Sequence, residues 1–232
     1  MVDMVIPLGN RSTVNNLELK YCLRSIEKYL KGVGKVFIIG ECPDWLQRVI
    51  HIPKDDTPGI RFKERNIAEK ISLACNDKRV SNDFLMVHDD HFLLQPFTAK
   101  SFPYVHHGMI TVGEGFYRKT KENTMRLFGQ QIRDYDSHCP ILFNKEKFLR
   151  AYNATDWTKW YGYLLKTVYC IYNEIQAEYY PDLKIRWMET KEEMLDAIDG
   201  RRWFSIGDRC WGNGYMKQVL EELYPNKSKY ER

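Results

Sequence analysis

Three short apolar runs, at residues 4–8, 36–40 and 84–87, constrain this chain more than any other feature. Each is bounded by polar or turn-forming residues and suits a buried strand. Between them the apolar spacing becomes helical. From Asn16 onward, Leu19, Cys22, Leu23, Ile26 and Leu30 recur at three- and four-residue steps, and Gly32 and Gly34 are read as closing that helix. Ile67, Ile71 and Ala74 form a second stripe, and residues 49–52 make a further strand before Pro53. The order strand, helix, strand, strand, helix, strand predicts an α/β protein. Its expected centre is a mixed, mainly parallel sheet flanked by helices.

The second half is less regular. Residues 109–112, 141–143 and 203–206 read as strands. Helices are expected over 158–178, 191–198 and 216–223. No repeat or linker divides the sequence, so residues 1–232 are read as one domain. No apolar run approaches ~18 residues, which excludes a membrane-spanning helix. The amino terminus lacks the pattern of a secretory signal, and the six cysteines include no Cys-x-x-Cys pair. Together these point to a cytoplasmic protein with reduced thiols. A net charge of +4 is compatible with anionic substrates without requiring nucleic acid.

Chemistry concentrates where the third run ends, at His88-Asp89-Asp90-His91. Ligands of open α/β sheets bind at the carboxyl ends of strands. Two adjacent carboxylates there suit a hard cation, Mn²⁺ or Mg²⁺, and such a cation suits a diphosphate. Removing Asp90 is expected to relieve repulsion within the pair. Only one glycine follows the first strand, in Leu8-Gly9-Asn10-Arg11, so a glycine-rich phosphate loop is not expected. His88 and His91 either ligate or hydrogen-bond the loop. His138 precedes Cys139-Pro140 and can complete a metal shell or act as a general base.

Four ordered segments resemble the Stealth family of sugar-phosphate transferases, which includes capsular polysaccharide and N-acetylglucosamine phosphotransferases. The first spans Asn16-Leu17-Glu18-Leu19 through Arg24-Ser25-Ile26 to Tyr29, with Val36-Phe37-Ile38-Ile39 and Pro43-Asp44-Trp45-Leu46. The others are Asp83-Phe84-Leu85-Met86-Val87-His88-Asp89-Asp90-His91-Phe92, then Asp136-Ser137-His138-Cys139-Pro140, then Phe204-Ser205-Ile206-Gly207-Asp208 to Leu223-Tyr224-Pro225 and on to Tyr230-Glu231. His88 and Gly207 stand where the family pattern has Asn. This likeness, and the sheet order, also imply kinship with the glycosyltransferase type A fold.

The resemblance implies a metal-dependent transferase acting on a nucleotide-sugar, UDP-sugar being favoured, and the reading taken is a glycosyltransferase that moves the sugar to an acceptor hydroxyl. Residues 1–95 would form the nucleotide-binding half and 96–232 the acceptor-binding half. Asp89, Asp90 and His138 are expected at the metal, with Asp208 and His138 catalytic. Arg24, Arg65 and Asn66 are expected to join the Asp pair in binding donor. Arg118, Lys119 and Arg126 form a basic run suited to the acceptor. An acceptor glycan is preferred over a modified base in DNA. Transfer of a sugar 1-phosphate, and a non-catalytic nucleic-acid-binding module, are the other readings.

Overall fold

In the computed structural model all residues except Arg11, Phe116 and Asn213 are described. In chain order the elements are β1 (Val2–Leu8), α1 (Leu17–Tyr29), β2 (Leu30–Lys31), β3 (Val33–Gly40) and β4 (Ile50–Ile52). Then come α2 (Lys63–Asn76), β5 (Asp83–Met86), β6 (His91–Leu93), β7 (Phe97–Thr98), β8 (Val105–His106) and α3 (Arg118–Phe128). The chain continues with β9 (Ile141–Asn144), α4 (Lys145–Asn153), α5 (Leu165–Tyr172), β10 (Glu178–Tyr179) and β11 (Lys184–Ile185). It closes with α6 (Lys191–Ile198), β12 (Trp203–Ile206) and α7 (Tyr215–Leu223).

The central sheet has the order β4-β3-β1-β5-β9. Its pairs are parallel except β5 with β9, so the expected mixed, mainly parallel sheet is present. Every residue of β1 is buried, because helices and further strands cover both faces. Alternation along β1 sorts its side chains. Met4, Ile6 and Leu8 join a core with α1, α6, α7 and the second sheet. Val5 joins the opposite core, with α2, α4 and α5.

A second sheet, of order β11-β12-β6, continues directly from the first. β5 ends at Met86, four residues turn the chain, and β6 begins at His91. Helix α1 packs on β6, where the Ser25 hydroxyl accepts from Leu93 N–H at 3.2 Å. Beyond Val5, β1 has no further register partner in β5. Pro7, which has no N–H to donate, lies in that unpaired stretch. The two strands therefore part where the Asp loop starts.

Three expectations are corrected. Helix α1 ends at Tyr29, not at the glycines, because Leu30 turns extended and pairs with Phe97 of β7. Residues 109–112 form no strand: Met109 makes one isolated bridge to Arg133, and Met109 and Val112 are exposed. The helix expected over 158–178 shrinks to Leu165–Tyr172. Tyr161 and Gly162 take positive φ of 67° and 52°, which a right-handed helix cannot include. Among the described residues no helix is long and apolar enough to cross a membrane, and the cysteines are free thiols.

Candidate functional site at the carboxyl end of β5

Strand order alone singles out one crevice. From β1 the chain runs outward on one side through β3 and β4, then crosses to the other side of β1 as β5. That reversal is a topological switch point, where neighbouring crossover helices lie on opposite faces and leave a gap between strands. Asp89 and Asp90 follow β5 at this gap.

Asp90 is held from the second sheet. Its Oδ2 accepts from Lys184 Nζ at 2.8 Å and from Ser205 Oγ at 2.9 Å, from β11 and β12. Its Oδ1 lies 3.9 Å from His91 Nε2. Burial pushes this carboxyl up most, but the Lys184 charge and hydrogen bond together with the two loop imidazoles outweigh it and hold Asp90 well below the usual carboxylate range. Among the described residues no cation pairs directly with Asp89, and Lys63 pulls it down only from a distance. Burial first, then the charges of Asp90 and Glu18, push it up to about 7.

Glu18, on the first turn of α1, is the residue that sequence reasoning missed. Its Oε2 is buried without a hydrogen-bond partner. Burial raises its carboxyl, a hydrogen bond from Ser12 opposes, and the nearby charges of Asp208 and Asp90 add to the rise. Asp208 itself is exposed and opens a short 3-10 turn (Asp208–Trp211) after β12. Four carboxylates thus lie within electrostatic reach of one another here, and among the described residues Lys184 is the one lysine hydrogen-bonded to any of them.

Both loop histidines stay neutral. Burial, then the Lys166 charge, lowers His88 to about 3 and holds His91 well below the usual imidazole range. His91 Nδ1 accepts from His88 N–H at 3.3 Å, so its proton sits on Nε2, towards Asp90. Their role in this fold is to brace the loop.

His138 is organised differently. Its Nδ1 lies 2.5 Å from Asp182 Oδ2, and its backbone N–H donates to Asp182 Oδ1 at 2.8 Å. Burial raises Asp182, but these His138 contacts outweigh it and hold the carboxyl low. A carboxylate on Nδ1 fixes the proton there and leaves the Nε2 lone pair outward, as a general base requires. The imidazole is partly exposed, so that lone pair is reachable.

The cationic candidates are engaged within the protein. Arg24 Nε and Nη2 donate to both oxygens of Glu231 at 2.8 and 2.7 Å. Arg65 pairs with Glu69 at 2.6 Å, and the Asn66 amide exchanges two hydrogen bonds with Thr57. Lys63, which opens α2, joins Lys184 in facing the crevice: its Nζ donates to Tyr117 Oη at 2.7 Å, within electrostatic reach of Asp90. Arg118 and Arg126 flank Glu122 on α3 at 2.9 and 3.9 Å. Lys119 Nζ lies 4.8 Å from the Tyr161 ring centroid.

Does this set fit a divalent cation? Among the described residues no three His, Cys, Asp or Glu side chains form a ready-made ion cage. Mg²⁺ commonly takes only one or two carboxylates, with substrate phosphates and water completing its shell. An orphaned buried carboxylate oxygen on Glu18, near an Asp89 whose carboxyl is raised by burial and then by its acidic neighbours, fits such a shared site. His138 is drawn to Asp182 instead of joining that set.

Buried Glu64, beside Lys63, gives a pH test independent of any ligand. Burial first, and then Asp136, raises its carboxyl from 4.5 to about 7 against the pull of Lys63. Between those values the unfolded chain releases the proton while the folded chain keeps it. Stability therefore falls as pH rises through this window, by an amount on the order of 3 kcal/mol, and stays low above it. Glu64→Gln is expected to raise the melting temperature at pH ~8 and to change it little at pH ~4.5. Thermal unfolding at both pH values checks this; an equal gain at both would refute it.

Neither a scan against protein-family models nor a search of curated proteins returns a match for this chain. The site's own chemistry therefore carries the functional reading.

Proposed function

We propose that this protein is a metal-dependent transferase that moves a sugar from a nucleotide-sugar to an acceptor hydroxyl. The observation that carries the proposal is an orphaned, buried Glu18 oxygen within electrostatic reach of Asp89, beside the switch point of a mainly parallel sheet. The ordered likeness to the Stealth family and the glycosyltransferase type A fold supports the same reading.

In this reading Asp89 and Glu18 hold Mn²⁺ or Mg²⁺, with Asp90 placing the loop. When bound, the cation would neutralise the charge that develops on a departing diphosphate. Lys184 and Lys63 stand at the same crevice and would add fixed positive charge beside the phosphates. The ion pair with Lys184 also keeps Asp90 ionised and its loop in one arrangement. His138 would take the acceptor's proton at Nε2 while Asp182 stabilises the imidazolium. Asp208, exposed beside Glu18, is the second base candidate.

Incubation with UDP-, GDP- and CMP-sugars and Mn²⁺, followed by identification of the released nucleotide, tests the proposal. Release of UDP from a UDP-sugar, abolished by chelator, is the expected result. Release of UMP would mean that the bond to the β-phosphorus breaks and sugar phosphate moves. No metal-dependent release from any donor would overturn the proposal.

A further inference from the structure

Away from the carboxylates, α3 and the segment 159–161 enclose a groove of about 440 Å³. Three cations line it, Lys119, Arg126 and Lys159, together with the indole of Trp160 and one carboxylate, Glu122. Trp160 is 60% exposed although large aromatics are normally covered. Its position is nevertheless built in. Asn123 Nδ2 donates to the carbonyls of Trp160 and Gly162, both at 3.0 Å, and Thr120 Oγ1 donates to that of Tyr161 at 2.8 Å. These carbonyls lie in the positive-φ turn that interrupts the expected helix, so buried side chains of α3 fix the turn that presents the indole. The Arg61 guanidinium sits 4.5 Å from the ring centroid.

We infer that this groove is a binding subsite for a negatively charged saccharide, the acidic part of the acceptor; the inference rests on the transferase reading. A flat indole meets the C–H face of a pyranose ring, and Arg126 and Lys159 beside it meet a sugar carboxylate. The volume suits roughly two sugar rings. Glu122, held between Arg118 and Arg126 at 2.9 and 3.9 Å, adds an acceptor for sugar hydroxyls. Strand binding uses several free stacking rings in succession, whereas here Trp160 is the exposed ring and the neighbouring Tyr161 ring already carries the Lys119 ammonium, 4.8 Å from its centroid. The groove and the carboxylate crevice share the first turn of α2. Lys63 contacts Tyr117, immediately before α3, and Gly162 packs so closely on Glu64 that a Cβ there would lie 2.9 Å from the Glu64 Cβ. A saccharide held at Trp160 can therefore extend towards the site.

Calorimetric titration of the full chain, without donor or metal, tests this. The probes are tetrasaccharides of polygalacturonate, hyaluronan and polysialate, their carboxyl-reduced counterparts, and a short single-stranded oligodeoxynucleotide. At least one acidic tetrasaccharide is expected to bind, with its reduced counterpart weaker by roughly tenfold or more. Trp160→Ala, and Arg126→Ala with Lys159→Ala, should each weaken it by a similar factor, while Asp89→Asn should leave it unchanged. Failure of all three acidic probes, tighter binding of the oligonucleotide, or indifference to the groove variants would overturn the inference. Because the titration needs neither donor nor metal, it stands or falls separately from turnover.

Discussion

Asp89→Ala is expected to lower nucleotide-sugar turnover by about a thousandfold or more while raising the melting temperature of the metal-free protein. The two effects have one cause. Burial and the charges of Asp90 and Glu18 raise the Asp89 carboxyl from 3.8 to about 7, so the fold holds it at a cost. As pH rises through this window the unfolded chain ionises first and stability falls. Removing the carboxyl should therefore stabilise most above pH ~7, by about 2 kcal/mol after discounting for its partial exposure, and little at pH ~4. Saturating Mn²⁺ should stabilise the parent protein and not the variant. Asp90→Ala should also lose turnover, but it should destabilise by about 1–3 kcal/mol, since Lys184 and Ser205 lose their acceptor. Unfolding curves and initial rates on both variants check this. Parent-like turnover by Asp89→Ala, or by the parent protein in chelator, would exclude the metal site.

Arg24→Ala is expected to cost about 3–5 kcal/mol, the largest stability loss of any single change proposed for this protein. The Glu231 side chain is only 3% exposed and that of Arg24 13%. Two parallel N–H···O bonds join them, and Arg24 Nη1 also donates to the Tyr224 carbonyl at 3.3 Å. Glu231 in turn accepts from the Ser228 backbone N–H at 2.9 Å. Alanine would leave a buried carboxylate without its cation. Arg24→Lys keeps the charge but not the fork, and should fall between parent and alanine. Arg24→Met combined with Glu231→Leu removes both charges and should recover much of the loss. Urea denaturation ranks the three. A loss below about 1 kcal/mol for Arg24→Ala would show that the pair is replaced by water.

The framework was readable because burial on both faces writes continuous apolar runs into a sequence. Strands β1, β3, β5 and β12, and helices α1, α2, α6 and α7, lie close to where spacing put them. What failed was local propensity without a partner. Residues 109–112 are β-prone, yet most of that stretch finds no neighbouring strand, and the aromatics at 157–163 pack as a turn because α3 side chains claim its carbonyls. The Asp pair was legible because it ends an apolar run. Its surroundings were not. Lys184 and Ser205 are 94 and 115 residues from Asp90, and Glu18 reads as an ordinary polar residue on an amphipathic helix. The expected relief on removing Asp90 belongs instead to Asp89, because only the fold reveals which carboxylate has a lysine.

The clasp between Arg24 and Glu231 joins residues 207 positions apart. At ribosomal speeds of about 5–20 residues per second, roughly 10–40 s separate the synthesis of these two side chains. Throughout that interval α1, which carries Glu18, lacks the contact that latches it to the segment 224–231. The nascent chain can lay down β1, β3 and β5 early, but the carboxylate crevice cannot be completed until translation has passed Glu231. Ribosome-bound intermediates should therefore hold a formed central sheet and an incomplete carboxylate crevice until Glu231 has been made.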